Sequence, residues 1–429
     1  MIQSFLKHKN QFWLLVAMFL GFALRTYSLG GQSLWNDEGN SVALAPLSLE
    51  AISNAAARDI HPPLYYFLLH FWLPFAGNTE YALRFLSVIA GVLVVAVTFR
   101  FAYLFFDEEI AIIAAFLSAF SAFQVYYSQE ARMYIWVTLW AAVSVLAMAV
   151  MLKRNDARPQ AAENQTPAGT HASLRASRTR RSRAWIVYIV ATIAALYTQY
   201  FAAAILVAEN LAFALWLFLA WRDKRVNLRH SVVFWLAAQV IVALAIAPWY
   251  LSVRDQLAAW PAISDSVDLP TLLWRVLNVF SVGTTLDVAT ALPIAAAFGV
   301  LLFASIRWMR DAQTDFAAGA LGLWLIAPVG VMYAISLSRP AYNPKFLLLA
   351  TPAFFILAAR GMARIYPGLF LRDRYAAGKR SSLRWFYFLV GVFVAVGFVP
   401  SLRNYYFNPA YARDDYRSIV QYVDSVARP

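Results

Sequence analysis

The chain has 429 residues, of which 61% are hydrophobic and only 14% are charged. A soluble domain of this size carries roughly 25% charged residues, so the composition excludes an ordinary soluble protein. The formal net charge of +13 would suit nucleic-acid binding, but Lys and Arg collect in alternate loops, which favours a membrane protein without a nucleic-acid partner. The chain contains no Cys, so neither a disulfide nor a thiol nucleophile is available.

Long apolar segments predict a polytopic protein with an all-α fold. Each segment can cross roughly 30 Å of hydrocarbon as a helix, and a helix satisfies its own backbone polar groups where lipid offers no partner. We predict about 11 transmembrane helices of this kind. Five of them contain uncharged runs, at residues 110–129, 133–152, 231–253, 288–306 and 316–338.

The first span is predicted near residues 11–29. It stays uncleaved, because no small-residue cleavage site follows it. Residues 184–221 are too long for one span and are expected to form two, with a break at 197–200 (YTQY). The seventh span is expected to end at 248–250 (PWY).

The segments between the spans differ in character. Residues 64–75 are apolar but too short to cross a membrane, so they predict an interfacial helix in the first outer loop. Residues 254–287 are amphipathic and predict a second surface-lying segment. Residues 153–183 are rich in Arg, Ser, Ala and Pro, which predicts a disordered basic loop.

The distribution of Lys and Arg predicts the orientation of the protein. If the N-terminus is cytoplasmic, the larger share of the basic residues lies on the cytoplasmic side, including the loop at 153–183. The protein is then a multi-pass protein of the plasma or inner membrane. We predict a transmembrane domain at residues 1–400 and a short extracytoplasmic tail at residues 401–429.

The most distinctive polar motif is residues 34–39 (LWNDEG), directly after the first span. A carboxylate at the membrane surface can act as a general base on a hydroxyl or amine, and it can ligate a divalent cation. Asp37 and Glu38 are therefore candidate catalytic residues. The alternative is structural: Asp37 caps the following helix and Glu38 is solvated.

Three other segments carry polar residues to the same predicted side of the membrane. His61 in 61–63 (HPP) is a candidate phosphate or metal ligand, or it lies at the headgroup level. Glu130 and Arg132 are a candidate second acid and phosphate clamp, or a plain surface pair. Lys345 is a cation at an outward span end, where headgroup snorkelling is the usual explanation.

One acidic residue falls inside a predicted span. Glu209 has no obvious partner in the sequence, and an intramembrane acid is a functional candidate by default. A hydrogen bond between helices would explain it equally well.

Three motifs together resemble a known family. Their order and spacing are similar to those of polyprenyl-phosphate-sugar-dependent GT-C glycosyltransferases, in the branch that contains protein O-mannosyltransferases, lipid A aminoarabinose transferases and bacterial lipopolysaccharide-core transferases. The resemblance covers roughly the first 350 residues. It rests on residues 33–39 (SLWNDEG), 61–66 (HPPLYY) and 127–134 (YSQEARMY).

The resemblance implies a GT-C fold and an enzyme that transfers a hexosyl- or pentosyl-type sugar from a polyprenyl-phosphate donor, with inversion. Asp37 matches the family's first acid and would be the general base, which Glu38 would assist. Glu130 matches the second acidic position.

The resemblance also implies how the donor phosphate is bound. His61, Arg132 and Lys345 would hold it, although many relatives have Arg where Lys345 stands, and Lys lacks the bidentate fork of Arg. Many relatives continue into a soluble outer domain, whereas only a short tail follows residue 400 here.

Several points stay open at this stage. Trp35, Tyr65 and Tyr66 could stack on sugar or prenyl groups, but they do not identify the sugar or the acceptor, which could be a glycan, a lipid or a protein. Asp37 and Glu130 could hold Mg²⁺ or Mn²⁺, or could act without a metal. The alternative functions are a lipid or sugar transporter (or flippase) and a non-catalytic scaffold. Against the transporter, the sequence has no convincing internal repeat and its candidate acids lie in loops.

Overall fold

A computed structural model describes residues 2–59, 61–152, 167–222, 228–306, 312–365 and 379–427. Within these ranges the chain forms α-helices and short 3₁₀ helices and contains no strand, which confirms the all-α prediction. The first eight helices are α1 (Ile2–Thr26), α2 (Asn36–Leu44), α3 (Leu49–Arg58), α4 (Leu64–Ala76), α5 (Glu80–Phe105), α6 (Glu108–Phe120), α7 (Ala122–Ser128) and α8 (Tyr134–Leu152).

The second half is helical as well. Its helices are α9 (Pro167–Thr198), α10 (Ala203–Arg222), α11 (Arg229–Ala259), α12 (Leu269–Val282), α13 (Val288–Ser305), α14 (Ala312–Ser338), α15 (Thr351–Ile365), α16 (Lys379–Phe407) and α17 (Tyr416–Val426). Three 3₁₀ helices lie between them, at Tyr200–Ala202, Pro344–Ala350 and Pro409–Tyr411.

Seven helical segments in the described part of the chain are long and apolar enough to cross a membrane, and an eighth is formed if the bent pair α6 and α7 is one span. The multi-pass prediction is therefore confirmed, whereas the number of about 11 spans stays a prediction. The core follows α5, α8 and α15, whose apolar side chains are mostly buried against neighbouring helices.

The predicted span at 110–129 is interrupted. It forms two helices, α6 and α7, which are bent by 56°. Buried Arg25 explains the break, because its guanidinium donates to the carbonyl oxygens of Ser118 (3.2 Å) and Ala119 (2.9 Å) and to the hydroxyl of Ser128 (3.1 Å). A cation is favourable at the negative end of the α6 dipole.

Other elements match or extend the predictions. The interfacial segment forms helix α4, whose Tyr65, Tyr66 and Leu69 are fully buried. The break predicted near 197–200 separates α9 from the following 3₁₀ helix. Helix α11 continues to Ala259, past its predicted end, because membrane helices tolerate an internal proline such as Pro248.

The predicted disordered loop at 153–183 is only partly covered. Residues 153–166 lie outside the described residues, whereas 167–183 form the first half of α9. The disorder prediction was wrong for that half. Ala and Arg, which are abundant there, are among the best helix formers, and a prediction based on charge and low hydrophobicity does not take this into account.

Candidate active site

Glu38, near the start of α2, is the most heavily bonded carboxylate of the site. Arg84 donates to both of its oxygens, from Nε at 2.9 Å and from Nη2 at 2.7 Å. Arg413 Nη1 donates at 2.7 Å, and the backbone N–H groups of Ala131 and Trp35 donate at 2.8 and 3.4 Å. One buried carboxylate thus joins the loop after α1, the start of α5, the link before α8 and the C-terminal tail.

This environment keeps Glu38 ionised. Burial alone would raise its pKa, but the hydrogen bonds from Arg84 and the charges of Arg413 and Arg84 outweigh burial and hold the pKa below its usual value. The side chain is 0% exposed, so the alternative of a solvated Glu38 is wrong. With its oxygens bonded to five donors, Glu38 acts as an anchor for the site.

Asp37 is placed differently from its neighbour. Its side chain is 28% exposed, and its Oδ2 lies 3.5 Å from Lys345 Nζ and 4.0 Å from Arg132 Nη2. The N-cap of α2 is Trp35, so Asp37 lies in the first turn and is not the capping residue. Asp37 therefore combines access to solvent with two nearby cations.

Arg132 connects three parts of the site. Its Nη1 donates to the backbone oxygen of Asp37 at 2.9 Å and to the hydroxyl of Ser41 at 3.0 Å. Its Nη2 lies 3.3 Å from His61 Nε2. The Arg132 side chain is 3% exposed, so helix α2 and the segment before α4 fix its position.

His61 lies between Arg132 and Asp59. Its Nδ1 is 3.2 Å from Asp59 Oδ2. Burial lowers the pKa of His61, more than its contact with Asp59 raises it. At neutral pH the ring is therefore uncharged: Nδ1–H donates to Asp59 and Nε2 accepts from Arg132. In this arrangement His61 orients the cation rather than supplying a charge.

Glu130 is almost completely buried, at 1% exposure. Its Oε1 lies 3.5 Å from Arg413 Nη2, and its Oε2 has no hydrogen-bond partner among the described residues. Burial raises its pKa to about 7; Arg413 opposes this shift and the charge of Glu38 adds to it. Glu130 can therefore gain or lose a proton near neutral pH.

The remaining predicted residues surround these groups. Lys345, in the 3₁₀ helix Pro344–Ala350, lies over the Tyr134 ring, with Nζ 5.0 Å from its centroid, a cation–π contact. Tyr65 and Tyr66 are 0% exposed. Trp35 is partly buried at the start of α2. Substrate contact by these three aromatic residues stays a prediction.

Two site residues are not identified by the sequence analysis. Arg84 lies near the start of α5 and Arg413 in the tail, and both bind Glu38. An available signal is the position of Arg84 in an otherwise apolar segment, where a buried cation needs a partner. For Arg413 we find no comparable signal, since the tail around it is rich in charged residues.

Glu209 lies apart from these residues, between helices. It accepts hydrogen bonds from the Ser144 hydroxyl of α8 and from the Tyr188 hydroxyl of α9, the latter at 3.2 Å. These contacts match the structural explanation, a hydrogen bond that ties helices together.

A metal site is not supported by these contacts. Within the described ranges, no three His, Asp or Glu side chains form a group that could hold a metal ion. Lys345 and Arg132 stand beside Asp37, and Arg413 stands beside Glu130, so cationic side chains fill the surroundings that a divalent cation would need. The residues do not fit the ion in this arrangement.

An open, mostly apolar cleft of about 230 Å³ adjoins the site. It reaches from His61 to residues of α10, α14 and the loop after α11. Its lining includes His61, Gln199, Trp260, Met332, Ile335 and Phe346. Because Phe346 follows Lys345 in the chain, one end of the cleft lies next to the cations that face Asp37.

Comparisons with known proteins agree with this architecture. Residues 60–160 match the family model described as dolichyl-phosphate-mannose-protein mannosyltransferase. No curated protein sequence matches the chain.

Solved structures of GT-C enzymes have a similar fold. Apo ArnT from Cupriavidus metallidurans has a TM-score of 0.58 at 15% identity, over 92% of this chain and 74% of that chain. ArnT bound to undecaprenyl phosphate has a TM-score of 0.56 with the same identity and coverage.

The archaeal oligosaccharyltransferase AglB from Archaeoglobus fulgidus, in complex with an inhibitory peptide and a dolichol-phosphate, has a TM-score of 0.54 at 14% identity. The match covers 99% of this chain and 58% of AglB. The chain therefore has the GT-C fold of these membrane proteins, and its residues 60–160 are similar to the mannosyltransferase family.

Proposed function

We propose that the protein is a membrane glycosyltransferase that moves a sugar from a polyprenyl-phosphate donor to an acceptor hydroxyl or amine on the extracytoplasmic face, with inversion at the anomeric carbon. The observation that carries the proposal is the position of Asp37. It is a partly exposed carboxylate that faces Lys345 and Arg132, next to an apolar cleft.

In the proposed reaction, Asp37 accepts the proton of the acceptor O–H or N–H group. The acceptor atom forms a bond to the anomeric carbon while the bond from that carbon to the phosphate oxygen breaks. The electron pair of the broken bond goes to the lipid phosphate, which gains negative charge. Lys345 and Arg132 stabilise this charge as it develops, and His61 holds Arg132 in position.

The other two acids have separate roles in the proposal. Glu38 fixes α2, and with it Asp37, through its bonds to Arg84 and Arg413. Glu130 is the second acid, and its pKa of about 7 suits proton exchange near neutral pH. The mechanism assigns no role to Mg²⁺ or Mn²⁺ at Asp37 and Glu130.

The apolar cleft suits a lipid-linked donor. A prenyl chain needs an apolar surface, and its phosphate needs cations at one end. Solved proteins with a similar fold bind undecaprenyl phosphate and dolichol-phosphate. The cations lie at helix ends and links rather than at the middle of spans, which supports a transferase over a transporter.

The test compares wild-type protein with Asp37→Asn. The variant removes the base but keeps the shape of the side chain, so it should fold and lose turnover by about a hundredfold or more. Mass spectrometry of co-purified lipids should find an intact polyprenyl-phosphate sugar on the variant and free polyprenyl phosphate on the wild type.

A matched control is Asp255→Asn, because Asp255 is 90% exposed and its ion pair among the described residues is with its surface neighbour Arg254. This variant should behave like the wild type. Bulk phospholipid alone on both the wild type and Asp37→Asn would argue against the donor class, and normal turnover of Asp37→Asn would remove Asp37 as the base.

A further inference from the structure

Gln199 occupies an unusual position in the apolar cleft. It is the extended residue between α9 and the 3₁₀ helix Tyr200–Ala202, and it is only 4% exposed. Neither its side-chain nitrogen nor its side-chain oxygen has a hydrogen-bond partner among the described residues. An unpartnered buried amide is costly, so the position calls for a ligand that supplies the missing bonds.

Three other polar side chains of the cleft lining have hydrogen-bond partners. His61 contacts Asp59 and Arg132. The Tyr200 hydroxyl accepts a hydrogen bond from Trp249 at 3.0 Å. Arg339 donates to the backbone oxygens at residues 257 and 258, at 3.0 and 2.6 Å. Among these four side chains, Gln199 is the one with neither of its polar atoms bonded to a described residue.

Local contacts hold Gln199 near the candidate phosphate site. Its carbonyl oxygen accepts from the backbone N–H of Ala202 at 3.1 Å. Phe201, two residues further on, stacks on Phe346 with ring centroids 6.1 Å apart. Phe346 follows Lys345, which faces Asp37. Gln199 thus lines the part of the cleft that continues through Phe201 and Phe346 to Lys345. Under the proposed function, the sugar of a lipid-phosphate donor would lie in this part of the cleft.

The chemistry of an amide selects among the parts of such a donor. A prenyl chain offers no hydrogen bond, and a phosphate only accepts. A sugar hydroxyl both donates and accepts, which matches an amide with a free N–H and a free oxygen. We infer that Gln199 is a specificity-determining residue that binds a hydroxyl of the donor sugar. The inference rests on the proposed function and extends it to sugar recognition.

The test measures lipid binding rather than turnover. Native mass spectrometry of the purified full chain would give dissociation constants for undecaprenyl phosphate and for a panel of undecaprenyl-phosphate monosaccharides that includes mannose and glucose. The wild type should bind one glycosylated lipid more tightly than the bare lipid phosphate. Gln199→Leu should lose that preference by about tenfold or more and bind bare undecaprenyl phosphate as the wild type does.

Two further variants sharpen the result. Gln199→Glu keeps an acceptor but loses the N–H donor. Its preference for the glycosylated lipid should therefore lie between those of the wild type and Gln199→Leu. Thr198→Val is the matched control, because the Thr198 hydroxyl bonds to its own helix at Ala194; its preference for the glycosylated lipid should be unchanged.

Different outcomes overturn different statements. If Gln199→Leu weakened binding of the bare and the glycosylated lipid equally, Gln199 would have a role in phosphate binding or in maintaining the structure, and the inference would be wrong. An unchanged preference in Gln199→Leu, or a wild type that binds bare and glycosylated lipids equally, would also overturn the inference while leaving the donor class intact. A wild type that binds neither lipid would contradict the proposed function itself.

Discussion

Asp37 and Glu38 are adjacent in sequence but have opposite environments. Glu38 is fully buried and bonded to two Arg residues, whereas Asp37 is partly exposed and faces Lys345. Successive residues on a helix point about 100° apart, so the pair cannot share one surface. As a consequence, Glu38 anchors the site, whereas Asp37 is available to react with a substrate.

At the scale of single residues, the raised pKa of Glu130 predicts how the stability of the protein changes with pH. Glu130 ionises near pH 4.5 when the chain is unfolded but only near pH 7 in the folded protein. As pH rises between these values, the unfolded state loses the proton first, so Glu130 makes the protein less stable, by on the order of 1–3 kcal/mol. The Glu130→Gln variant lacks this titration.

The measurement is the thermal unfolding temperature of both proteins in detergent from pH 4 to pH 9. The wild-type value minus the Glu130→Gln value should fall between about pH 4.5 and 7 and stay constant above that range. A difference that is the same at every pH would show that Glu130 titrates at its ordinary value in the folded protein.

At the scale of elements, the C-terminal tail contributes directly to the site. The side chain of Arg413 is 7% exposed and reaches both Glu38 and Glu130. It also lies over the Tyr126 ring, with its guanidinium carbon 5.6 Å from the centroid. The short tail at residues 401–429 is therefore part of the candidate active site in the folded chain.

We expect Arg413→Ala to lower turnover by at least about tenfold, because Glu38 and Glu130 lose a shared cation. Breaking a buried ion pair typically costs about 3–5 kcal/mol, and the loss of stability should be smaller here because Arg84 still binds Glu38. Arg413→Lys should recover part of the turnover. Steady-state kinetics and thermal unfolding of the same preparations measure both effects.

The tail also provides the control. Arg417 pairs with Glu80 at the surface, with side chains 43% and 30% exposed, and such pairs contribute about 0–1 kcal/mol. Arg417→Ala should be close to the wild type in turnover and stability. If Arg413→Ala and Arg417→Ala behaved alike, Arg413 would have no special part in the site.

Helix packing gives a second prediction at this scale. Gly361 on α15 lies against α13, and a Cβ at this position would overlap the backbone oxygen of Leu301. Because backbone cannot rotate away as a side chain can, the two helices would have to separate. Gly361→Ala should therefore lower stability by about 1–3 kcal/mol, seen as a lower unfolding temperature.

Gly330→Ala is the matched control within α14, since a Cβ there meets no atom within 4 Å. Ala is a better helix former than Gly by roughly 1 kcal/mol, so this variant should be as stable as the wild type or slightly more stable. Equal destabilisation by both variants would contradict close packing of α13 on α15.

At the scale of the whole molecule, the orientation in the membrane is still a prediction of the charge distribution. Since the chain has no Cys, single Cys residues can be introduced without background labelling. Gly39→Cys reports on the candidate active site, and Thr170→Cys reports on the predicted cytoplasmic loop. A membrane-impermeant thiol reagent added outside intact cells should label the first position and not the second. Labelling of both from outside would contradict the predicted topology.

The sequence alone was sufficient for the class of protein and for most helices. It also selected six polar residues whose roles in the site stay predictions. Apolar length and charge are local properties, so they can be read without contacts. Asp37, Glu130, Arg132 and Lys345 meet around one site as expected, with His61 behind Arg132. The break within 110–129 was missed because its cause, Arg25, lies in another helix.

What only the tertiary structure decided is how the charges are paired. Glu38 meets Arg84 across 46 residues and Arg413 across 375 residues of sequence, and no local pattern records such contacts. Burial then sets the character of each acid, by holding Glu38 ionised and moving Glu130 toward neutrality. The residue types of a site follow from local sequence, whereas their protonation and accessibility depend on the neighbours and the desolvation that folding imposes.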